Sequence, residues 1–115
     1  LGALATAMQR ITDLPLLDGN RVEALRNGDE AYPAMLDAIA QARASVTLSS
    51  YIFSHDRAGL QFADALGAAV VRGVQVRVLV DDVGARYSLP TIYGALARRK
   101  VPCAAFIPTF FHWRM

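Results

Sequence analysis

The alternation of valines between Val74 and Val80 constrains the fold of this chain more than any other feature of its sequence. Valine takes every second position, and Gln75, Arg77 and Leu79 take the positions between. Successive side chains of a strand point to opposite faces of a sheet, and β-branched residues suit a buried pleated surface. The run therefore predicts a strand whose valine face is buried.

Helical patterns alternate with strand patterns along the chain. Apolar residues at helical spacing predict helices over Asp29–Arg43 and Arg57–Arg72, and a third helix that begins at a Ser88 cap. Strand patterns lie at Arg21–Leu25, Ser45–Phe53, Val74–Val80 and Val101–Ile107. The order β-α-β-α-β-α-β predicts an α/β fold, with a mostly parallel sheet and helices on both of its faces.

Residues that commonly end helices support these bounds. Asp29 and Asp56 are placed to cap the first and second helices, because a side-chain oxygen can accept a hydrogen bond from a free N–H group of the first turn. Gly73 is placed to end the second helix, since glycine readily takes the left-handed conformation found after many helices.

Length and composition indicate one folded domain. The chain has 115 residues, of which 54% are hydrophobic and 19% charged, so it can bury enough apolar surface to fold. We expect residues 1–18 to be irregular and residues 19–115 to form the α/β domain. The formal charge is only +2, which by itself does not indicate nucleic-acid binding. Residues 77–115 are the basic part, with six basic and two acidic side chains.

The sequence lacks the motifs of several functional classes. Cys103 is the only cysteine, which excludes an internal disulfide and a cysteine-based metal cluster. The glycine-rich loops of nucleotide-binding proteins and the Gly-x-Ser-x-Gly motif of serine hydrolases do not occur. No apolar run approaches the length of a membrane span, and the first residues do not resemble a signal peptide, so we expect a soluble piece.

The most conspicuous polar pair, Asp81 and Asp82, follows the valine strand. Strand ends of parallel sheets commonly carry functional groups. The simpler interpretation is a turn in which these carboxylates accept hydrogen bonds from nearby backbone N–H groups. The alternative is a divalent-cation site completed by His55 or Asp56.

The order and spacing of several segments resemble the N-terminal half of the phospholipase D superfamily, and its cardiolipin synthase branch in particular. The segments are Gly19–Val22, Asn27–Leu36, Tyr51–Phe53, Phe62–Leu66, Arg72–Asp81 and Gly84–Ser88. The resemblance extends from about Gly19 to Met115. It implies an enzyme that joins two phosphatidylglycerol molecules into cardiolipin and releases glycerol.

The resemblance also implies a mechanism without a metal or another cofactor. In this family two His-x-Lys-x4-Asp motifs supply a histidine that attacks phosphorus, a second that protonates the leaving alkoxide, and lysines that hold the phosphate. Neither His55 nor His112 is followed by lysine two positions later, and Lys100 is the only lysine. We therefore assign no catalytic residue, and expect a truncated domain that stops before its first motif and is inactive alone.

Three residues are candidates for substrate binding under this resemblance. Tyr51 and Asp81 correspond to strand ends that flank the family's phosphate site, and Arg86 lies in the loop above it. Packing and turn formation are the simpler roles for each. The roles of His55, Asp82 and His112 stay open.

The resemblance also predicts partners and location. The expected partners are an anionic phospholipid at the cytoplasmic membrane and the missing C-terminal half of the same protein. Exposed aromatic residues near the end of the chain, Phe110, Phe111 and Trp113, would favour self-association.

Two other functions stay open. A phosphodiesterase or nuclease of the same superfamily is one, although the small net charge argues against a nucleic-acid substrate. The other is a non-enzymatic α/β module whose aromatic C-terminus docks a partner.

Overall fold

The chain was analysed as a computed structural model that describes residues 2–85 and 89–107. Its elements are, in chain order, α1 (Gly2–Thr12), α2 (Asn27–Gln41), β1 (Ser45–Ser50), α3 (Arg57–Val71), β2 (Gln75–Asp81), α4 (Asp82–Ala85), α5 (Ile92–Arg98) and β3 (Cys103–Phe106). The expected start of the third helix is wrong: Leu89 and Pro90 are not helical, and α5 begins at Ile92 with Thr91 at the N-cap position, while Ser88 itself lies outside the described residues.

The three strands form one parallel sheet in the order β1-β2-β3. Between β1 and β2, Val46 pairs with Val76 and Leu48 with Val78. Between β2 and β3, Val78 pairs with Cys103 and Asp81 with Phe106. Each strand is connected to the next by a segment that contains a helix, as parallel neighbours require. The predicted α/β class and parallel sheet are confirmed.

The core lies between the valine face of β2 and the helices. Val76, Val78 and Val80 are at most 5% exposed, whereas Gln75 and Arg77 face solvent, as the alternation predicts. Helix α3 is the central helix, because it packs on α2, α5 and β2. The largest fully buried side chains are Leu66, Ile92, Leu96 and Val80.

The two residues predicted to end α3, Asp56 and Gly73, are both confirmed in that role. The Asp56 side chain accepts a hydrogen bond from the Gly59 backbone N–H at 2.8 Å, which caps the helix. Gly73 follows the helix with φ +83°. At α2 the expected cap is wrong: the helix begins at Asn27, so Asp29 lies within its first turn, and Glu30 instead accepts a hydrogen bond from the Arg26 backbone N–H at 2.7 Å.

The predicted strand Arg21–Leu25 is wrong, because this segment forms no regular element. Val22 is 93% exposed, and the backbone pairs with no strand in the part of the chain that the structure describes. Residues 1–18 also differ from expectation. Gly2–Thr12 forms α1, in which Leu4, Met8 and Ile11 recur at helical spacing, although none of its residues is buried.

Only one face of the sheet is covered by the described helices. The opposite face exposes Thr47, Ser49, Gln75, Arg77, Leu79, Ala104 and Phe106. Leu79 is 39% and Phe106 53% exposed. We expected helices on both faces of the sheet. Among the described residues, helices cover only one face. None of the helices described is long and apolar enough to cross a membrane.

Candidate functional site

The carboxyl ends of the three strands form a cavity of about 330 Å³, which we call the strand-end cavity. Its lining residues are Ser49, Ser50, Tyr51, Leu79, Asp81 and Phe106. The ends meet there because the strands are parallel and adjacent, with Asp81 paired to Phe106 and Ser50 to Val80. The structure thus brings together two of the three substrate-binding candidates, Tyr51 and Asp81. The third, Arg86, lies outside the described residues, as does His112.

Asp81 links the end of β2 to the helix that follows it. Its Oδ1 accepts hydrogen bonds from the backbone N–H groups of Val83 at 2.9 Å and Gly84 at 3.4 Å. A carboxylate at this position satisfies N–H groups that have no partner within the helix. This geometry agrees with the interpretation of Asp81 as a turn-forming residue at a strand end.

The loop after β1 is held in place by two close backbone contacts. A Cβ on Gly84 would overlap the carbonyl oxygen of Tyr51, and a Cβ on Gly59 would overlap the carbonyl oxygen of Ser54. Helices α4 and α3 can approach the loop this closely only because both positions are glycine. Within the loop, the Ser50 hydroxyl donates a hydrogen bond to the Ile52 carbonyl at 2.7 Å. Sequence reasoning missed the role of Gly84, although its place after an acidic pair at a strand end was a signal.

The cation-binding alternative finds no support in these residues. Asp82 is 6% exposed, and Asp56 uses its Oδ1 to cap α3. No group of three or more histidine, cysteine, aspartate or glutamate side chains within residues 2–85 and 89–107 could hold a metal ion. Asp81 is the last residue of β2, and Asp82 is the first residue of α4.

The charge of the strand-end cavity does not favour a phosphate by itself. Among the described residues its lining holds one carboxylate, Asp81, two serines and Tyr51, but no lysine, arginine or histidine. Tyr51 is 66% exposed, so its side chain is accessible at the rim. An anionic phosphate would need positive groups from elsewhere to offset the repulsion of Asp81. The described wall can shape and position a ligand, and it holds no pair of groups for nucleophilic and acid catalysis.

Cys103 lies at the start of β3, away from this lining. Its side chain is half-buried, and that burial raises the pKa of the thiol above its ordinary value of 9.0. The thiolate is therefore scarce near neutral pH, and a nucleophile needs the thiolate. Cys103 acts as a small, partly buried side chain of the sheet.

Comparisons with known proteins identify relatives of this chain. A family described as cardiolipin synthase, PLD-like domain, matches residues 35–115. Cardiolipin synthase B of Salmonella typhimurium is 42% identical over 67 residues, which are 58% of this chain and 16% of that protein. Cardiolipin synthase A of Pseudomonas syringae is 31% identical over 91 residues, or 79% of this chain and 19% of that protein. Cardiolipin synthase of Oceanobacillus iheyensis is 35% identical over 92 residues, or 80% and 19%. The matched region spans less than a fifth of each relative.

Proposed function

The chain belongs to the family of PLD-like domains of cardiolipin synthases, and we propose that the protein containing it transfers a phosphatidyl group from one phosphatidylglycerol molecule to another. The observation that carries this proposal is the family match over residues 35–115, together with relatives that are named as cardiolipin synthases. The location of a cavity at the carboxyl ends of parallel strands also supports it, because such ends commonly hold ligands.

The proposed reaction passes through a phosphohistidine. A histidine nitrogen attacks the phosphorus of the first phosphatidylglycerol, and the bond from phosphorus to the oxygen of the head-group glycerol breaks. A second histidine protonates that oxygen, and glycerol leaves. A hydroxyl of the second phosphatidylglycerol then attacks phosphorus and gives up its proton to the second histidine. The phosphorus–nitrogen bond breaks and cardiolipin is released. Both histidines belong to the His-x-Lys-x4-Asp motifs of the family, which residues 1–115 do not contain.

The described residues supply the wall of the phosphate site in this proposal. Tyr51 lies at the rim of the strand-end cavity, and Asp81 fixes the start of α4 against the loop that carries Tyr51. Because the part of the lining that the structure describes has no cationic side chain, the lysines of the two motifs would provide the charge that holds the phosphate. Residues 1–115 are then a positioning scaffold and are inactive alone.

The test uses the full-length protein and a separate preparation of residues 1–115. Each is incubated with phosphatidylglycerol vesicles, and cardiolipin and released glycerol are measured. We expect equal amounts of the two products from the full-length protein and none from residues 1–115. Rapid quenching at alkaline pH should trap lipid phosphate on a histidine.

Turnover by residues 1–115 at an enzyme-like rate would contradict the assignment of the chemistry to the two motifs. A full-length protein that lacks a His-x-Lys-x4-Asp sequence, or that produces no cardiolipin, would overturn the proposed function.

A further inference from the structure

A second cavity, of about 410 Å³, lies between α2, β1 and the start of α3, and we call it the edge cleft. Its lining includes Tyr32 and Met35 of α2, Leu48 and Ser50 of β1, and Ala58 and Phe62 of α3. The cleft exists because α2 packs mainly on α3, where the Tyr32 ring meets the Phe62 ring edge-on at 5.6 Å between centroids. Space remains between α2 and the edge strand β1. A volume of this size is within the usual range of ligand sites.

The lining of the edge cleft separates apolar from polar groups. Its apolar walls come from side chains of α2, α3, β1 and the following loop, with Phe53 and Phe62 buried beneath. Every polar side chain except Tyr32 belongs to residues 49–56, at the end of β1 and in the loop after it. Within residues 2–85 and 89–107, no lysine, arginine or histidine lines this cleft. Such a cleft suits an uncharged apolar chain whose polar end emerges near the carboxyl end of β1.

The edge cleft and the strand-end cavity adjoin at the carboxyl end of β1. Ser49 and Ser50 line both, with the edge cleft on the helix-covered side of the strand and the strand-end cavity on its exposed side. A ligand that bends around the end of β1 at these two serines would place an apolar segment in the edge cleft and a polar segment beside Tyr51 and Asp81. A phospholipid is divided in the same way, into apolar acyl chains and a polar phosphate head group.

We propose that the edge cleft binds an acyl chain of the phospholipid whose phosphate lies at the strand-end cavity. The identity of the phospholipid rests on the proposed function. An additional strand from elsewhere in the protein is the competing occupant. Such a strand would lie beside β1 in the plane of the sheet, since it would pair with the β1 backbone. The cleft instead extends beneath β1, toward Met35 and Phe62.

The test measures binding of single-chain phosphatidylglycerols with acyl chains of increasing length to the full-length protein, below their aggregation concentrations. If the chain enters the cleft, affinity should rise by about fourfold for each added methylene, which corresponds to about 0.8 kcal/mol per buried CH₂. Ala58→Leu narrows the cleft and should weaken binding of the longest ligand by about tenfold or more, because the added side chain occupies the volume of several methylenes.

The matched control is Ala68→Leu, which adds the same atoms to the same helix at an exposed position outside the cleft. It should bind as the unmodified protein does. Met35→Ser is a second variant, at a position that is 40% exposed, and it should also weaken the longest ligand without unfolding the protein. Thermal unfolding of each variant checks that the fold is retained.

Binding that is independent of chain length, or equally weakened by Ala68→Leu, would overturn the inference. If cardiolipin forms while Ala58→Leu and Met35→Ser change neither affinity nor KM, the acyl chain does not use the cleft, and the proposed function stands without this inference. If no cardiolipin forms but length-dependent binding is lost in Ala58→Leu, the cleft is an acyl-chain site and the proposed function is the part that fails.

Discussion

At the residue scale, Asp81 shows how a conspicuous acidic side chain can have a structural task inside a candidate site. Its Oδ1 accepts hydrogen bonds from Val83 and Gly84, and so it links β2 to α4. Capping hydrogen bonds of this kind are typically worth about 1 kcal/mol. The same side chain lines the strand-end cavity, where its negative charge requires that positive groups accompany a bound phosphate.

Cys103 gives a pH-dependent prediction. Burial raises the pKa of its thiol in the folded state above 9.0, so the folded protein retains the proton where the unfolded chain begins to lose it. The stability that this proton supports is fully present below the unfolded pKa and is lost as pH rises through the folded pKa. We expect the free energy of unfolding to fall more steeply above about pH 9 in the unmodified protein than in Cys103→Ala. Urea unfolding from pH 8 upward measures both, and parallel curves would contradict the prediction.

At the element scale, the contact between α4 and the loop after β1 depends on Gly84. Gly84→Ala places a Cβ against the Tyr51 carbonyl, so α4 or the loop must shift. We expect a loss of about 1 to 3 kcal/mol in the free energy of unfolding, as is typical when a packed contact is overfilled. Urea denaturation measures the loss.

Gly94→Ala is the matched control for this substitution. Gly94 lies within α5 and is exposed, and a Cβ there would meet only Arg98 Nη1, at 3.6 Å. Alanine is the better helix former by about 0.5 to 1 kcal/mol, so this variant should be slightly more stable. Equal effects of the two substitutions would show that the Tyr51 contact does not restrict position 84.

The elements also differ in how well their sequence patterns predicted them. The alternation in β2 and the helical spacing in α3 were sufficient to predict these two elements. In each, the apolar residues that form the pattern are buried in the core of the described chain. Arg21–Leu25 has alternating residues but no partner strand within residues 2–85 and 89–107, so its pattern alone did not make a strand. Helix α4 is only four residues long and was not predicted, since a single turn has too few residues to show a period.

At the scale of the whole molecule, the described helices cover one face of the sheet and leave the other face exposed. Parallel sheets are normally covered on both faces. Here the exposed face carries Leu79 and Phe106 beside polar residues such as Arg77 and Gln75. Burying apolar surface is favourable, so this face favours contact with further protein, either from the same polypeptide or from a second copy.

We therefore expect residues 1–115 to self-associate in a concentration-dependent manner. The double variant Leu79→Gln and Phe106→Gln should weaken the association by about tenfold or more, because each side chain would otherwise bury apolar area worth about 1.5 to 3 kcal/mol when fully covered. Sedimentation equilibrium measures the dissociation constant.

Val71→Gln serves as the control for self-association, since Val71 is 87% exposed at the end of α3 and is not part of the sheet. It should leave the dissociation constant unchanged. A clean monomer at high protein concentration, or an equal effect of Val71→Gln, would contradict the use of the exposed sheet face.

The sequence by itself determined the α/β class, the parallel strands, the ends of α3 and the family, because local periodicity, capping residues and the order of motifs are properties of neighbouring residues. Only the tertiary structure decided which strand ends meet, that Gly84 lies against the Tyr51 carbonyl, and that the edge cleft opens beside α2. These features join residues far apart in the chain, such as Tyr32 and Phe62 or Tyr51 and Phe106. Their proximity depends on how helices pack on the sheet, which no local pattern encodes.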